Sequence, residues 1–238
     1  MTSSSTEWFD PQSCWLSFTV VNQDVNKTLE FASNNVASLF SRCEIRLGGA
    51  TVEDQHHFNS LSETFHRLQS DEKRANASAY GLGVGATKLK AASIAAGASK
   101  RVAMTFPLSG LLGANSKWIP LWAVNGGLEI LLTLARPEDI VVAGAVAANS
   151  TSYRLESIAL HGGMCLLDSQ LQNTFAMNLK DGDQSLMIHT KQFYTSEQFL
   201  TGGSDGAWET SLVKPVSKLG SVFVNCVGDL TDAEKREG

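Results

Sequence analysis

His56-His57, with Glu53 and Asp54 just upstream, is the group in this chain whose residue types best suit a metal ion. A metal site needs several such donors converging on one point. Adjacent side chains at a helix start point about 100° apart, so the two imidazoles diverge and a solvated helix face accounts for them better. His66 follows on the same helix beside Phe65 and reads as a surface residue, while His161 and His189 lie on or beside strands with no evident partner. Cys14, Cys43, Cys165 and Cys226 are far apart and form no CxxC pair, a pattern that favours buried, reduced thiols. Gly81-Leu82-Gly83-Val84-Gly85 lacks the last glycine of GxGxxG and a following Walker lysine, so loop flexibility explains it better than phosphate binding. Ser109 sits in Leu108-Ser109-Gly110, which is not a nucleophile elbow. Trp15, Trp118, Trp122 and Trp208 offer material for a sugar-stacking platform. Trp118 and Trp122, however, flank Pro120 in an apolar setting where packing or a subunit contact fits better. No catalytic constellation emerges, and no cofactor, metal or small-molecule substrate is expected.

The elements are mostly strands. Period-two alternation marks Cys14–Asn22 (Leu16, Phe18, Val20 on one face) and Arg42–Leu47, where Cys43, Ile45 and Leu47 oppose Arg42, Glu44 and Arg46. Gly48-Gly49 closes the second with turn chemistry. The richest stretch is Arg101–Leu134: a strand with Val102, Met104 and Phe106 on one face, a Gly/Pro-punctuated connection carrying Lys117-Trp118-Ile119-Pro120-Leu121, and a strand with Leu128, Ile130, Leu132 and Leu134. Further strands are expected at Tyr153–Leu160, Met164–Leu167, Ser185–Tyr194 and Leu219–Val227. In the first of these the apolar face switches from Tyr153/Leu155 to Ile158/Leu160, as a bulge requires. Phe58, Leu61, Phe65 and Leu68 recur at helical spacing and predict an amphipathic helix over about 55–70, capped by Asp54 or Asn59. A short helix is expected around Leu171, Phe175 and Leu179, ended by Asp181-Gly182. The Ala-, Gly- and Ser-rich stretch 70–99 reads as a surface loop, 137–152 as a small-residue linker, and 229–238 as a solvated tail.

Many short strands with few helices predict an all-β protein, an antiparallel β-sandwich of jelly-roll type. At 238 residues, 43% hydrophobic and 18% charged, the chain has material for a sizeable core. A net charge of -5 without a Lys/Arg run argues against general nucleic-acid binding. The N-terminal residues lack the pattern of a secretory signal, no apolar stretch reaches the roughly 20 residues of a transmembrane helix, and the sequons at Asn26, Asn76 and Asn149 read as chance matches.

Taken together, several blocks resemble the major capsid proteins of the double-jelly-roll lineage of DNA viruses, the Polinton-type and nucleocytoplasmic large DNA virus group. They are Trp15-Leu16-Ser17-Phe18, the run Leu39 to Gly49 with Val52-Glu53-Asp54, and the helix bearing Leu61 and Leu68. Next come Phe106 to Gly113, Lys117-Trp118-Ile119-Pro120-Leu121, the Leu128–Leu134 strand and Tyr153-Arg154-Leu155-Glu156-Ser157-Ile158. The resemblance implies a structural, non-enzymatic protein whose subunits stand two rolls side by side. Three subunits would close into a tower that tiles an icosahedral shell, placing the protein in the virion capsid after synthesis inside the host cell. Two full rolls exceed 238 residues, so the expectation is one complete roll over 1–150 and part of a second over 151–238, as a fragment or as a shortened form completed by a partner. The expected partners are copies of itself, in a homotrimer, and other capsid subunits. The expected packing or interface residues are Phe106, Pro107, Leu108, Trp118, Ile119, Pro120, Leu121 and Trp122, with the 70–99 loop projecting outward. The competing reading is a jelly-roll carbohydrate- or ligand-binding module; an enzyme on a β-sandwich has less support.

Overall fold

The computed structural model describes residues 6–85, 89–142, 149–180, 187–196 and 218–224. Six strands form two antiparallel three-stranded sheets. They are β1 (Glu7–Asn22), β2 (Phe40–Leu47), β3 (Ala50–His56), β4 (Ser99–Thr105), β5 (Leu128–Leu134) and β6 (Tyr153–Leu166). The sheet orders are β4-β1-β6 and β3-β2-β5, so every connection except the β2–β3 hairpin carries the chain from one sheet to the other. The described residues add four α-helices, α1 (Phe58–Arg67), α2 (Asp71–Ala79), α3 (Pro137–Ile140) and α4 (Ser169–Lys180), and two short 3-10 turns, Val36–Leu39 and Leu121–Ala123. The described residues are therefore an all-β sandwich with minor helices, the class the alternation predicts.

The core is the set of side chains that alternation turned inward. Leu16, Phe18 and Val20 of β1, Cys43 and Ile45 of β2, Val102 and Met104 of β4, and Leu128 of β5 are all buried. Phe18 meets Phe40 edge to face at 5.7 Å, which locks one sheet onto the other. Gly48 and Gly49, at φ of 62° and 78°, make the left-handed turn that an L-residue with a Cβ resists.

Several expectations need correcting. The run after Gly49 is a strand, β3, whose polar residues on both faces hid it. Arg42 pairs with His56 and Leu47 with Ala50, so Asp54 lies in the ladder and caps nothing. The helix starts instead after His57, which sits at φ 52° without a side-chain cap bond. Its buried face is Phe58, Ser62 and His66, while Leu68 is exposed. That face packs on the segment around Asn34, where His66 Nε2 donates to Asn34 Oδ1 at 2.8 Å and Ser33 Oγ donates to Glu63 at 2.6 Å. Local hydrogen bonding thus outweighs the burial of one leucine. His66 is accordingly buried, and desolvation lowers its pKa.

The described residues of 70–99 are not loop throughout. Ser70 caps α2 by accepting from Lys73 N, Leu82, Ala91 and Ile94 join the core, and Ile94 exchanges backbone bonds with Leu29 at 2.8 and 2.9 Å. The segment after Pro137 is likewise packed: Ile140, Val141 and Val142 are buried, and Val142 N donates to Glu30 O.

Tyr153–Leu166 is one strand where the pattern predicts two, and it hydrogen-bonds along β1 from Asn22↔Tyr153 to Glu7↔Leu166. The expected bulge is present. The register slips between the Ser17 and Thr19 pairs, where Ser157 adopts φ 52°. Gly162 makes the pairing close, because a Cβ there would lie 2.5 Å from the Phe9 ring. Helix α4 spans the expected residues. Residues 187–196 and 218–224 carry no strand; the rest of those two expected strands, Asp181-Gly182 and the tail lie outside the described residues.

Candidate assembly surface

The predicted packing residues sit on the connection between β4 and β5. Phe106, Leu108, Ile119, Pro120 and Leu121 are buried, Trp122 is half-buried, and Pro107 and Trp118 are exposed. Their burial is internal to this chain. Ile119 and Phe9 exchange backbone bonds at 2.8 and 2.9 Å, which ties the connection to the start of β1. Trp122 contacts Trp8 edge on, Trp8 contacts Phe175 of α4 the same way, and Trp8 Nε1 donates to Gln172 at 2.7 Å. Among the described residues, Trp15, Trp118 and Trp122 therefore share no platform. Trp122 turns inward, Trp118 is exposed, Trp15 is on β1, and Trp208 lies outside the described residues.

Two polar residues of β3 hold this connection in place, and the sequence pattern did not single them out for it. Glu53 is 1% exposed, and its Oε1 accepts from Leu111 N at 2.5 Å. Gln55 Nε2 donates to Leu108 O at 2.8 Å. Ser109 Oγ accepts from Leu112 N, closing the turn. Burial pushes the Glu53 carboxyl above its ordinary value, and the Leu111, Ser109 and Gly110 donors oppose that shift only in part. The signal was the alternation of Glu53 and Gln55 on one face, obscured because Asp54 between them is also polar.

On the opposite face, β2 and β3 carry an ion-pair network. Arg42 forks onto Asp54 with two 2.8 Å bonds, Arg42 reaches Glu44 at 3.2 Å, and Arg46 donates to Glu44 at 2.6 Å. Thr51 Oγ1 adds a donor to Glu44 at 2.8 Å. Arg46 and Thr51 hold Glu44 below the ordinary carboxylate value, and Arg42 does the same for Asp54. His56 joins at its margin, 3.3 Å from Asp54 Oδ2. Among the described residues, no three histidine, cysteine or carboxylate side chains converge on a metal-sized site.

His161 has a partner after all. Its ring stacks on Trp15 at 3.8 Å and 9°, and its Nε2 lies 2.9 Å from Ser17 Oγ, which also accepts from Arg101 Nη2 at 3.2 Å. The cluster is assembled from β1, β4 and β6, so no local motif marks it. His189 is exposed. Among the described residues, no helix is long and apolar enough to cross a membrane.

No protein-family model matches the chain, and no curated protein matches it. Among solved structures, it is similar to the PBCV-1 VP54 chain from a crystal structure fitted into a cryo-EM reconstruction of the virophage Sputnik. The TM-score is 0.43 and the identity 14%, over 73% of this chain and 39% of that one. The match thus spans well under half of the VP54 chain. At this level the likeness assigns neither activity nor partner.

Proposed function

We propose that this chain is a structural, capsid-type subunit that associates with copies of itself, through trimers, into an icosahedral viral shell. The observation that carries the reading is the apolar character of its outer strands. Among the described residues β6 and β5 are sheet edges, and they expose Ile158 (62%), Leu166 (72%), Leu131 and Leu134. An edge strand of 14 residues with large apolar side chains is a template for another chain. The trimer, the virion location, the double-roll lineage and the non-enzymatic role come from the block resemblance in the sequence. So does the division into a first jelly roll over 1–150 and part of a second over 151–238, with β6 joining the second part to the sheet of the first. Phe106 to Trp122 then serves as packing between sheets, with Pro107 and Trp118 left to meet a neighbour.

Size-exclusion chromatography with light scattering on the full chain tests the reading. The expected result is a trimer that Ile158→Lys converts to a folded monomer. A wild-type chain that stays monomeric at micromolar concentration counts against it.

A further inference from the structure

We infer that the outer face of the β4-β1-β6 sheet binds an anionic monosaccharide unit, a pyranose ring bearing a carboxylate, between Trp15, Tyr80 and Arg101. The register builds the site. Trp15 pairs with Thr105 and His161, Ser17 with Ala103 and Ala159, and Thr19 with Arg101 and Glu156. The middle row is therefore Ala-Ser-Ala, between a ring-bearing row and a charged row, with Ser17 itself buried and bonded by Arg101 and His161. Beside β4, Ala79 and Tyr80 at the end of α2 form a wall, fixed by Ala103 N donating to Tyr80 O at 2.8 Å. The resulting groove holds about 290 Å³ and is lined by Trp15, Ser17, Ala79, Tyr80, Arg101 and the β4 backbone neighbours. It is a shallow, open groove, below the usual range of ligand cavities, with room for no more than one sugar ring.

The chemistry is complementary. His161 covers one face of the Trp15 indole from the β6 side, so the other face turns toward β4, where the groove lies. Trp15 is 38% exposed and Tyr80 77%, so both are open to a ligand. An indole face held rigid by a stacked imidazole suits the C–H face of a pyranose better than a mobile ring does. Arg101 spends one N–H on Ser17 Oγ, which aligns its guanidinium and leaves the remaining donors for a carboxylate. The nearby Glu156 pairs with Arg154 at 2.7 Å, which offsets part of its charge. The net charge of -5 disfavours a long polyanion but not a single acidic sugar.

Saturation-transfer NMR and tryptophan fluorescence on the full chain, with methyl glucuronide and methyl glucoside as probes, test this independently of assembly. The glucuronide is expected to bind at millimolar concentration and the glucoside about tenfold more weakly, the size of a lost charged hydrogen bond. Arg101→Gln should erase that difference, Trp15→Ala should lose both sugars, and Trp15→Phe, which keeps an aromatic face, should retain them with an unchanged melting temperature. Equal binding of the two sugars, no binding of either, or tighter binding of uridine monophosphate overturns the assignment.

Discussion

Replacing Glu53 by alanine and by glutamine separates what its oxygen atoms hold from what its charge costs. In Glu53→Ala the Leu111 and Gly110 amides lose their buried acceptor, and an orphaned buried N–H costs about 1–3 kcal/mol. Relief of a desolvated charge offsets part of this, so a net loss of about 2 kcal/mol is expected, felt first in the 106–113 connection. Glu53→Gln keeps an acceptor for Leu111 N and places its amide where Oε2 lacks a well-formed hydrogen bond among the described residues. It should stay within about 1 kcal/mol of the wild type at neutral pH. The pH dependence has a definite sign. Because the folded carboxyl binds its proton more tightly than the unfolded one, Glu53 favours the native state most below its ordinary value of 4.5. That contribution is lost as pH rises through the raised folded value. Glu44 and Asp54, whose values are lowered, act oppositely: their contribution is present above the ordinary carboxylate range and lost on acidification. Urea unfolding by tryptophan fluorescence, at pH steps from acid to neutral, should therefore show the stability of Glu53→Gln rising relative to wild type across that window. Equal damage from the two substitutions, or a difference of the opposite slope, refutes the reasoning.

Two further outcomes follow from the core. Burial pushes the Cys14 thiol up to about 11 and Cys43 to about 12, so at pH 8 neither should be alkylated by iodoacetamide until the protein unfolds. Peptide mass spectrometry checks this, and rapid native-state labelling of either contradicts it. Gly162→Ala should destabilise by about 1–3 kcal/mol, since its Cβ would press on the Phe9 ring 2.5 Å away. A thermal melt no lower than that of the wild type would show that the ring can give way.

The strands that bury one clean apolar face were legible in the sequence. Leu16-Phe18-Val20, Cys43-Ile45 and Val102-Met104 each face the core as their period requires. The bulge in β6 was also legible from the slip in the alternation, although Ile158, which the pattern put on the apolar face, is exposed. β3 was not, since Glu53 and Gln55 point inward to polar partners and Asp54 points outward to Arg42, which leaves no hydropathy contrast. Nor was the packing of 70–99, where small side chains reach the core only because β1, β4 and the Leu29 segment enclose them.

Local pattern determined that this chain makes sandwiched antiparallel strands, because alternation is a property of neighbouring residues. Tertiary structure alone decided which strands share a sheet and that β6 lies along β1. It also decided that Trp15, Ser17, Arg101 and His161 meet on one face. Those contacts join residues up to 146 positions apart, from 15 to 161, and depend on register and sheet order, quantities that no local window of sequence contains.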